Sequence, residues 1–334
     1  MSAQTPSCQQ GAATGRTTLV LLAAALALQI APATGQDYPT KPLRMIVPFA
    51  PGGPADMLGR LIGEKLHQSL GQPVVVHNKG GAGTILGVDL AAKSNPDGYT
   101  LLLGNVAMII NASTGKKLPY HTLKDLTPVS LVFTQPLILV LSPSVPIGSV
   151  KELVAYAKAN PGKLRYGSSG VGTSIHLTTE LFRTAVAVEL THVPYKGVAP
   201  AMIDLLGARI DMMFPGIAPA LPHVRSGKLK ALALTSKQRS SVLPDVPTLD
   251  ESGVANFESI GWYGILVPSG VPAKIAARLN KELVSVMALP DVRERLASQG
   301  GDAVSSTRER FAAFMRSELR KWTGIIRSTN IRVE

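Results

Sequence analysis

The chain is poor in cross-linking and redox residues. It has 334 residues and one cysteine, Cys8. Cys8 lies in a segment that reads as a cleaved leader, so the remaining chain would have none. That excludes disulfides, a thiolate nucleophile and a cysteine metal site. Cys8 also stands too far upstream of the small-residue cleavage site to be a lipidation cysteine, so a freely soluble protein is expected rather than a tethered one. Aromatic residues are only 5% of the chain, and acidic residues number 22 against 34 Lys plus Arg, a net charge of +12. An excess of this size suits nucleic acid or anionic solutes equally. The basic residues are spread out, with no run of them interleaved with aromatics, so no nucleic-acid partner is expected. Long apolar runs are missing too. The longest, Leu19–Leu28 after Arg16, is too short to span a bilayer, which needs about 20 residues. With Ala31-Pro-Ala33 and Ala33-Thr-Gly35 behind it, it reads as a secretory signal over residues 1–35, cleaved near Ala33 to Gly35. A periplasmic, monomeric protein follows as the expectation.

Catalytic signatures are also wanting. Neither glycine-rich loop ends in the Gly-Lys-Ser/Thr of a phosphate-binding P-loop, and none fits the dinucleotide fingerprint. Gly167-Ser-Ser-Gly-Val171 puts valine where a nucleophile elbow needs its last glycine. The six histidines (67, 77, 121, 176, 192 and 223) include no pair at metal-ligand spacing. No enzyme, no metal and no cofactor are therefore expected. The alternative is a secreted α/β hydrolase using Ser168 or Ser169.

What is present is a repeated strand–glycine turn–helix unit. Leu43 to Val47 form an apolar run dense enough for a buried strand, and Pro48 stops it. Pro51-Gly-Gly-Pro54 makes a turn. A helix then follows through Met57, Leu58, Leu61, Ile62 and Leu66 at three-and-four spacing, opened by Pro54. Uncovered backbone N–H groups at a helix N-terminus make an anion seat. Pro73–Val76 and Thr100–Leu103 read as further strands, with a helix from Ile85 to Ala91 between them and Asn78–Gly83 as a loop. Strands alternating with helices imply a parallel sheet, whose ligands sit beyond the strands' carboxyl ends. The Gly52-Gly53 turn and Asn105 are such ends. The unit recurs at Leu164–Tyr166, the Gly167–Ser174 turn, and a helix bearing His176, Leu177, Leu181 and Phe182. Ser149 with Glu152 forms a capping box before another helix, and Phe311 to Trp322 is a terminal amphipathic helix. Two such seats, each in its own βα run, suggest two α/β lobes facing each other across a cleft.

The order and spacing of Tyr38-Pro-Thr-Lys-Pro-Leu-Arg-Met-Ile-Val-Pro-Phe-Ala-Pro-Gly-Gly53, Gly71-Gln-Pro-Val-Val-Val-His-Asn-Lys-Gly-Gly-Ala-Gly83, Asn95-Pro-Asp-Gly-Tyr-Thr100, His192-Val-Pro-Tyr-Lys-Gly197, Leu221-Pro-His-Val-Arg-Ser-Gly-Lys228 and Leu243-Pro-Asp-Val-Pro-Thr248 carry a resemblance. The chain from Tyr38 on resembles the Bug family, the TctC-like extracytoplasmic solute receptors of tripartite tricarboxylate transport systems. The resemblance implies a two-lobed periplasmic binding protein of type II, a Venus flytrap closing by hinge motion, each lobe a mainly parallel sheet flanked by helices. Lobe one is placed at 37–138 plus 262–334 and lobe two at 139–261. The implied function is capture of a small carboxylate for the membrane permease subunits of the transporter, with the Phe49–Gly53 loop pinching the ligand.

The residues supply a chemistry for that role. A carboxylate needs several N–H and hydroxyl donors. Gly52 and Gly53 are expected to donate from lobe one, with Phe49, Ala50 and Pro51 as walls and Asn105 offering its amide. Ser168, Ser169, Gly170 and Thr173 are expected to donate from lobe two. Asp56 reads as a helix-end carboxylate rather than a ligand contact. Where the family commonly carries an Asp after the Met-Phe strand end, this chain has Pro215, so the ligand is expected to lack an amine: a dicarboxylate or an aromatic carboxylate.

Overall fold

The computed structural model describes residues 1–5 and 38–329. From residue 6 onward the expected leader, with its cleavage site, lies outside the described residues, as do residues 330–334. The body from Lys41 on is α/β and built on two sheets.

The first sheet takes strands from both ends of this body. β1 (Leu43–Val47), β2 (Val74–Asn78) and β3 (Thr100–Asn105) alternate with α1 (Pro54–Leu70) and α2 (Ile85–Ala92); α3 (Val106–Ser113) follows, then β4 (Leu126–Pro136). The chain returns to this sheet much later with β10 (Ile260–Pro268) and β11 (Asp302–Ala303), giving the order β11-β4-β10-β3-β1-β2. β1, β2 and β3 are parallel, whereas β10 is antiparallel to both β3 and β4. The second sheet has the order β7-β6-β8-β5-β9, from β5 (Ile138–Leu141), β6 (Arg165–Ser168), β7 (Thr191–Pro194), β8 (Met212–Met213) and β9 (Lys230–Leu234). Its helices are α4 (Val150–Ala159), α5 (Ser174–Val186), α6 (Val198–Leu206) and α7 (Ile217–Arg225). α8 (Ala273–Ala288), α9 (Pro290–Ala297) and α10 (Arg308–Thr329) pack back on the first sheet or its edge. Each sheet is mixed rather than mainly parallel, because the strands that carry the chain between sheets, β4, β5 and β10, run against their neighbours.

Each sheet buries an apolar core. Ile46, Leu102, Trp262, Leu266, Phe311, Met315 and Trp322 close one face of the first. Leu139, Leu141, Tyr166, Phe182 and Phe214 line one face of the second, and Ile138, Val140, Met213 and Ile217 the other. Leu177 of α5 belongs to the first-sheet cluster, so the C-terminal helix packs on both halves. The expected capping of α4 is present: Ser149 accepts the Glu152 N–H at 3.2 Å, and Glu152 accepts that of Gly148 at 2.8 Å.

Two chain crossings join the sheets, at Leu137 and near Ser259. Thr235, fully buried, ties them together. Its hydroxyl accepts the Leu137 N–H at 2.8 Å, its own N–H donates to the Leu137 carbonyl, and its carbonyl accepts the Ser259 N–H at 2.9 Å. β1 and β3 end on the side of the first sheet where β4 leaves it, since Tyr263 pairs with Asn105 and Ile260 with Pro136. β6 runs parallel to β8, which is antiparallel to β5, so β6 ends on the side where β5 begins. Both glycine turns therefore lie at the sheet ends that adjoin the crossings.

Candidate functional site

On the first lobe, Pro48 to Gly53 form an open loop between β1 and α1. Gly52 sits at φ +85°, a left-handed backbone that a side chain would strain, and its N–H donates to Asp56 Oδ2 at 2.9 Å. The same oxygen accepts Arg60 Nε at 3.0 Å. Those two bonds, Arg60 first, hold the Asp56 carboxyl at a pKa of about 2. Asp56 thus caps the turn, and the Gly52 N–H is not free for a ligand. Gly53 is the N-cap of α1, its carbonyl accepting the Met57 N–H, and among the described residues no hydrogen bond engages its own N–H. Asn78, at the end of β2, donates its amide to the Phe49 carbonyl at 3.2 Å and so fixes the aromatic side of the loop.

Phe49, Ala50 and Pro51 border a depression of about 600 Å³, together with Asn78, Thr84 and Ala107. Its other wall is the Gly80–Thr84 segment, most of which belongs to the Asn78–Gly83 loop expected from sequence and to which no ligand role is assigned there. A Cβ on Gly80 would lie 3.2 Å from the Ala50 nitrogen, so glycine there lets the two loops touch. Thr84 holds φ +85°, strained for a β-branched residue, and its buried hydroxyl has no hydrogen-bond partner among the described residues. The rule that pointed to the ends of β1 and β3 applies equally to β2, and would have found this segment.

Asn105 ends β3 and is buried, with its Oδ1 unpartnered among the described residues. Across the ladder from it stands Tyr263, also missed in the sequence. Tyr263 packs on Phe49 edge-on at 6.4 Å and on Phe133 at 6.1 Å. Burial pushes its phenol up to about 12, so it stays a neutral donor at any physiological pH. An isolated tyrosine in an aromatic-poor chain carries no signal until pairing places it beside Asn105.

On the second lobe the turn between β6 and α5 holds all four expected residues. Ser168 is fully buried and its Oγ contacts Gly170 and His192. The Thr173 hydroxyl donates to the Gly170 carbonyl at 2.7 Å and accepts the His176 N–H as the cap of α5. Gly170 spends its N–H on Ser168. Ser169 is half-buried, and neither its hydroxyl nor its N–H makes a bond among the described residues. Of the seven donors expected from the two turns and Asn105, the free ones are thus Gly53, Ser169 and the Asn105 amide, while Gly52, Ser168, Gly170 and Thr173 hold the turns in shape.

The Ser168 Oγ to His192 Nε2 distance of 2.7 Å is that of a nucleophile and its base. Ser168, however, is 0% exposed, so no substrate carbonyl reaches its oxygen. Among the described residues no group of three or more His, Cys, Asp or Glu side chains is placed to hold a metal, and no helix is long and apolar enough to cross a membrane.

Comparison with known proteins agrees with this architecture. The family model described as the tripartite tricarboxylate transporter family receptor matches residues 58–331. Protein BugT of Bordetella pertussis is 39% identical over 306 residues, which are 91% of this chain and 94% of BugT. A TctC solute-binding protein from Polaromonas superposes with a TM-score of 0.81 at 29% identity, over 87% of this chain and 99% of that one. Two Rhodopseudomonas palustris structures are similar: one with adipate (TM-score 0.73, 32% identity, 88% and 99% covered) and MatC with bound malate (0.69, 31%, 86% and 100%). Two mixed sheets joined by paired crossings, glycine turns at the sheet ends that adjoin those crossings and a match over most of the chain place this protein in the tripartite tricarboxylate transporter receptor family, the TctC and Bug proteins, which are periplasmic solute-binding receptors and not enzymes.

Proposed function

We propose that this chain is a periplasmic receptor that captures a small carboxylate lacking an amine, a dicarboxylate or an aromatic carboxylate, between its two lobes. It delivers this ligand to the permease subunits of a tripartite transporter. The lobes are residues 37–138 plus 262–334 and 139–261, and the receptor acts as a monomer after loss of its leader. The observation that carries the reading is the pair of glycine turns at the crossing ends of both sheets, each with donors left unspent: the Gly53 N–H on one side, Ser169 on the other. One carboxylate oxygen pair per turn satisfies them without a full countercharge. Phe49 and Tyr263 supply an apolar wall, and the chain's excess of Lys and Arg over Asp and Glu draws anions toward it. The adipate and malate held by the two R. palustris relatives are of the same chemical class.

The test is mass spectrometry of the small molecule that copurifies with the protein, followed by thermal-shift titration with malate, adipate, benzoate, aspartate and glutamate. A ligand that binds only the folded state raises its melting temperature. Stabilisation by an amine-free carboxylate is expected. Tighter binding of aspartate or glutamate would overturn the ligand class, and response to none of the carboxylates would overturn the anion reading.

A further inference from the structure

Beneath the lobe-two turn lies a cluster that ligand binding does not itself use. The rings of His176 on α5 and His192 on β7 stack at 4.1 Å between centroids and 10° between planes. Tyr166 on β6 stacks on His192 at 4.7 Å. The Tyr166 hydroxyl donates to Glu180 Oε1 at 2.7 Å, and Glu180 is paired with Arg183 at 2.7 Å. Each imidazole grips a different part of the turn. His192 Nε2 meets Ser168 Oγ at 2.7 Å, and His176 Nδ1 accepts the Gly172 N–H at 3.0 Å.

The Gly172 contact fixes the tautomer of His176, and a hydrogen-bond count at Ser168 favours one for His192. Ser168 has one proton. If it goes to the Gly170 carbonyl, the oxygen is free to accept both the Gly170 N–H and a His192 Nε2–H, and no contact is wasted. His176 must present a bare Nδ1, because a proton there would point at the Gly172 N–H. A neutral His176 is therefore a condition of the observed turn.

We propose that His176 and His192 are positioning residues for the ligand turn of lobe two. His192 sets its start through Ser168, His176 sets its far side through Gly172, and Ser169 is left as the donor presented to the ligand. This rests on the function proposed above; neither ring touches the ligand. The surroundings keep His176 in the required form. Burial, then repulsion from His192, lowers its pKa to about 4, against the pull of Glu180 and with the help of Arg183. Burial lowers that of His192 also, opposed by Glu180. The groups facing the pair are Tyr166 from β6 and Glu180 and Arg183 from α5. The turn therefore keeps its shape at neutral pH and loses it only as pH falls through about 4, where His176 takes its proton.

The test is NMR of the glycine-labelled protein, with calorimetric titration of malate and adipate as probes. His176→Phe keeps a ring for the stack but no acceptor, and should displace the Gly172 amide signal at pH 7 and weaken probe binding tenfold or more. His176→Asn, whose Oδ1 stands where Nδ1 stood, should restore both to within threefold. The Gly172 signal of the wild type should follow the His176 ring signals on acidification. His192→Phe and His192→Gln form a second pair read at Gly170, and they decide the matter if a His176 variant does not fold. A Gly172 signal and affinity unchanged in His176→Phe, or His176→Asn no better than His176→Phe, would overturn the proposal. If the wild type binds neither probe, the carboxylate reading fails on that count, while the glycine amides still decide the positioning role.

Discussion

Glu318 is the strongest single test of how lobe one is held together. It lies on α10 and is 3% exposed. Its Oε2 accepts the indole N–H of Trp262 at 3.3 Å and of Trp322 at 3.1 Å, and Oε1 pairs with Lys321. Trp262 belongs to β10, the strand that brings the chain back from lobe two. Replacement by alanine strips two buried donors of their acceptor at about 1–3 kcal/mol each. Removing a buried carboxylate refunds part of its desolvation. The net cost of Glu318→Ala is then about 4 kcal/mol, which at about 2–4 °C per kcal/mol lowers the melting temperature by about 8–16 °C. Glu318→Gln should cost only about 1–2 kcal/mol, because its amide oxygen still accepts from the indoles. Lys321 also retains the Glu258 carbonyl at 3.2 Å. The assay is built in: the chain has two tryptophans, and both donate to Glu318, so intrinsic fluorescence during urea unfolding reads this cluster alone. An alanine variant within 1 kcal/mol of wild type, or a glutamine variant as unstable as alanine, would refute the reasoning.

Two further expectations concern other sites. Asp56 has its pKa lowered from 3.8 to about 2, chiefly by Arg60 and then by the Gly52 N–H. Its contribution is therefore present above pH 4 and lost as pH falls toward 2. Because Arg60 is more than half exposed, water screens the pair and the worth is nearer 1 kcal/mol than the full shift implies. In Asp56→Asn that loss should vanish from the acid limb of the stability curve; an identical acid limb in variant and wild type would speak against it. Gly264 lies in β10 with no room for a side chain, since a Cβ would fall 2.1 Å from Phe311 Cζ. Gly264→Ala should cost about 1–3 kcal/mol in urea unfolding, and adding Phe311→Leu should recover part of it. Strict additivity of the two losses would show that they do not meet.

The architecture was legible where residues announce themselves locally. Pro51-Gly-Gly-Pro54, the Gly167–Ser174 turn and the Ser149 box each specify a backbone state that little else satisfies. β4 was not seen, because Pro128 and Pro136 look like strand breakers in one dimension; both sit in a strand whose partner β10 is paired through two register shifts. α7 hid behind Pro222 in the same way, the proline lying inside a short helix. For the site, sequence named the turns but not which donors they would consume. Whether Ser168 faces a ligand or a histidine depends on His192, which arrives from another strand. Tyr263 and Thr84 depend on strand pairing and on backbone angles that composition does not encode.

Thr235 has one more implication. Since this single buried residue staples both strands that pass between the sheets, any swing that keeps its bonds to Leu137 and Ser259 turns about one pin. Jaws sweep widest at their tips and least beside the pivot, and the two seats lie at the pivot end. On the function proposed above, the gap they offer therefore changes little as the lobes close, so the carboxylate is measured by its length, as by a caliper with short travel.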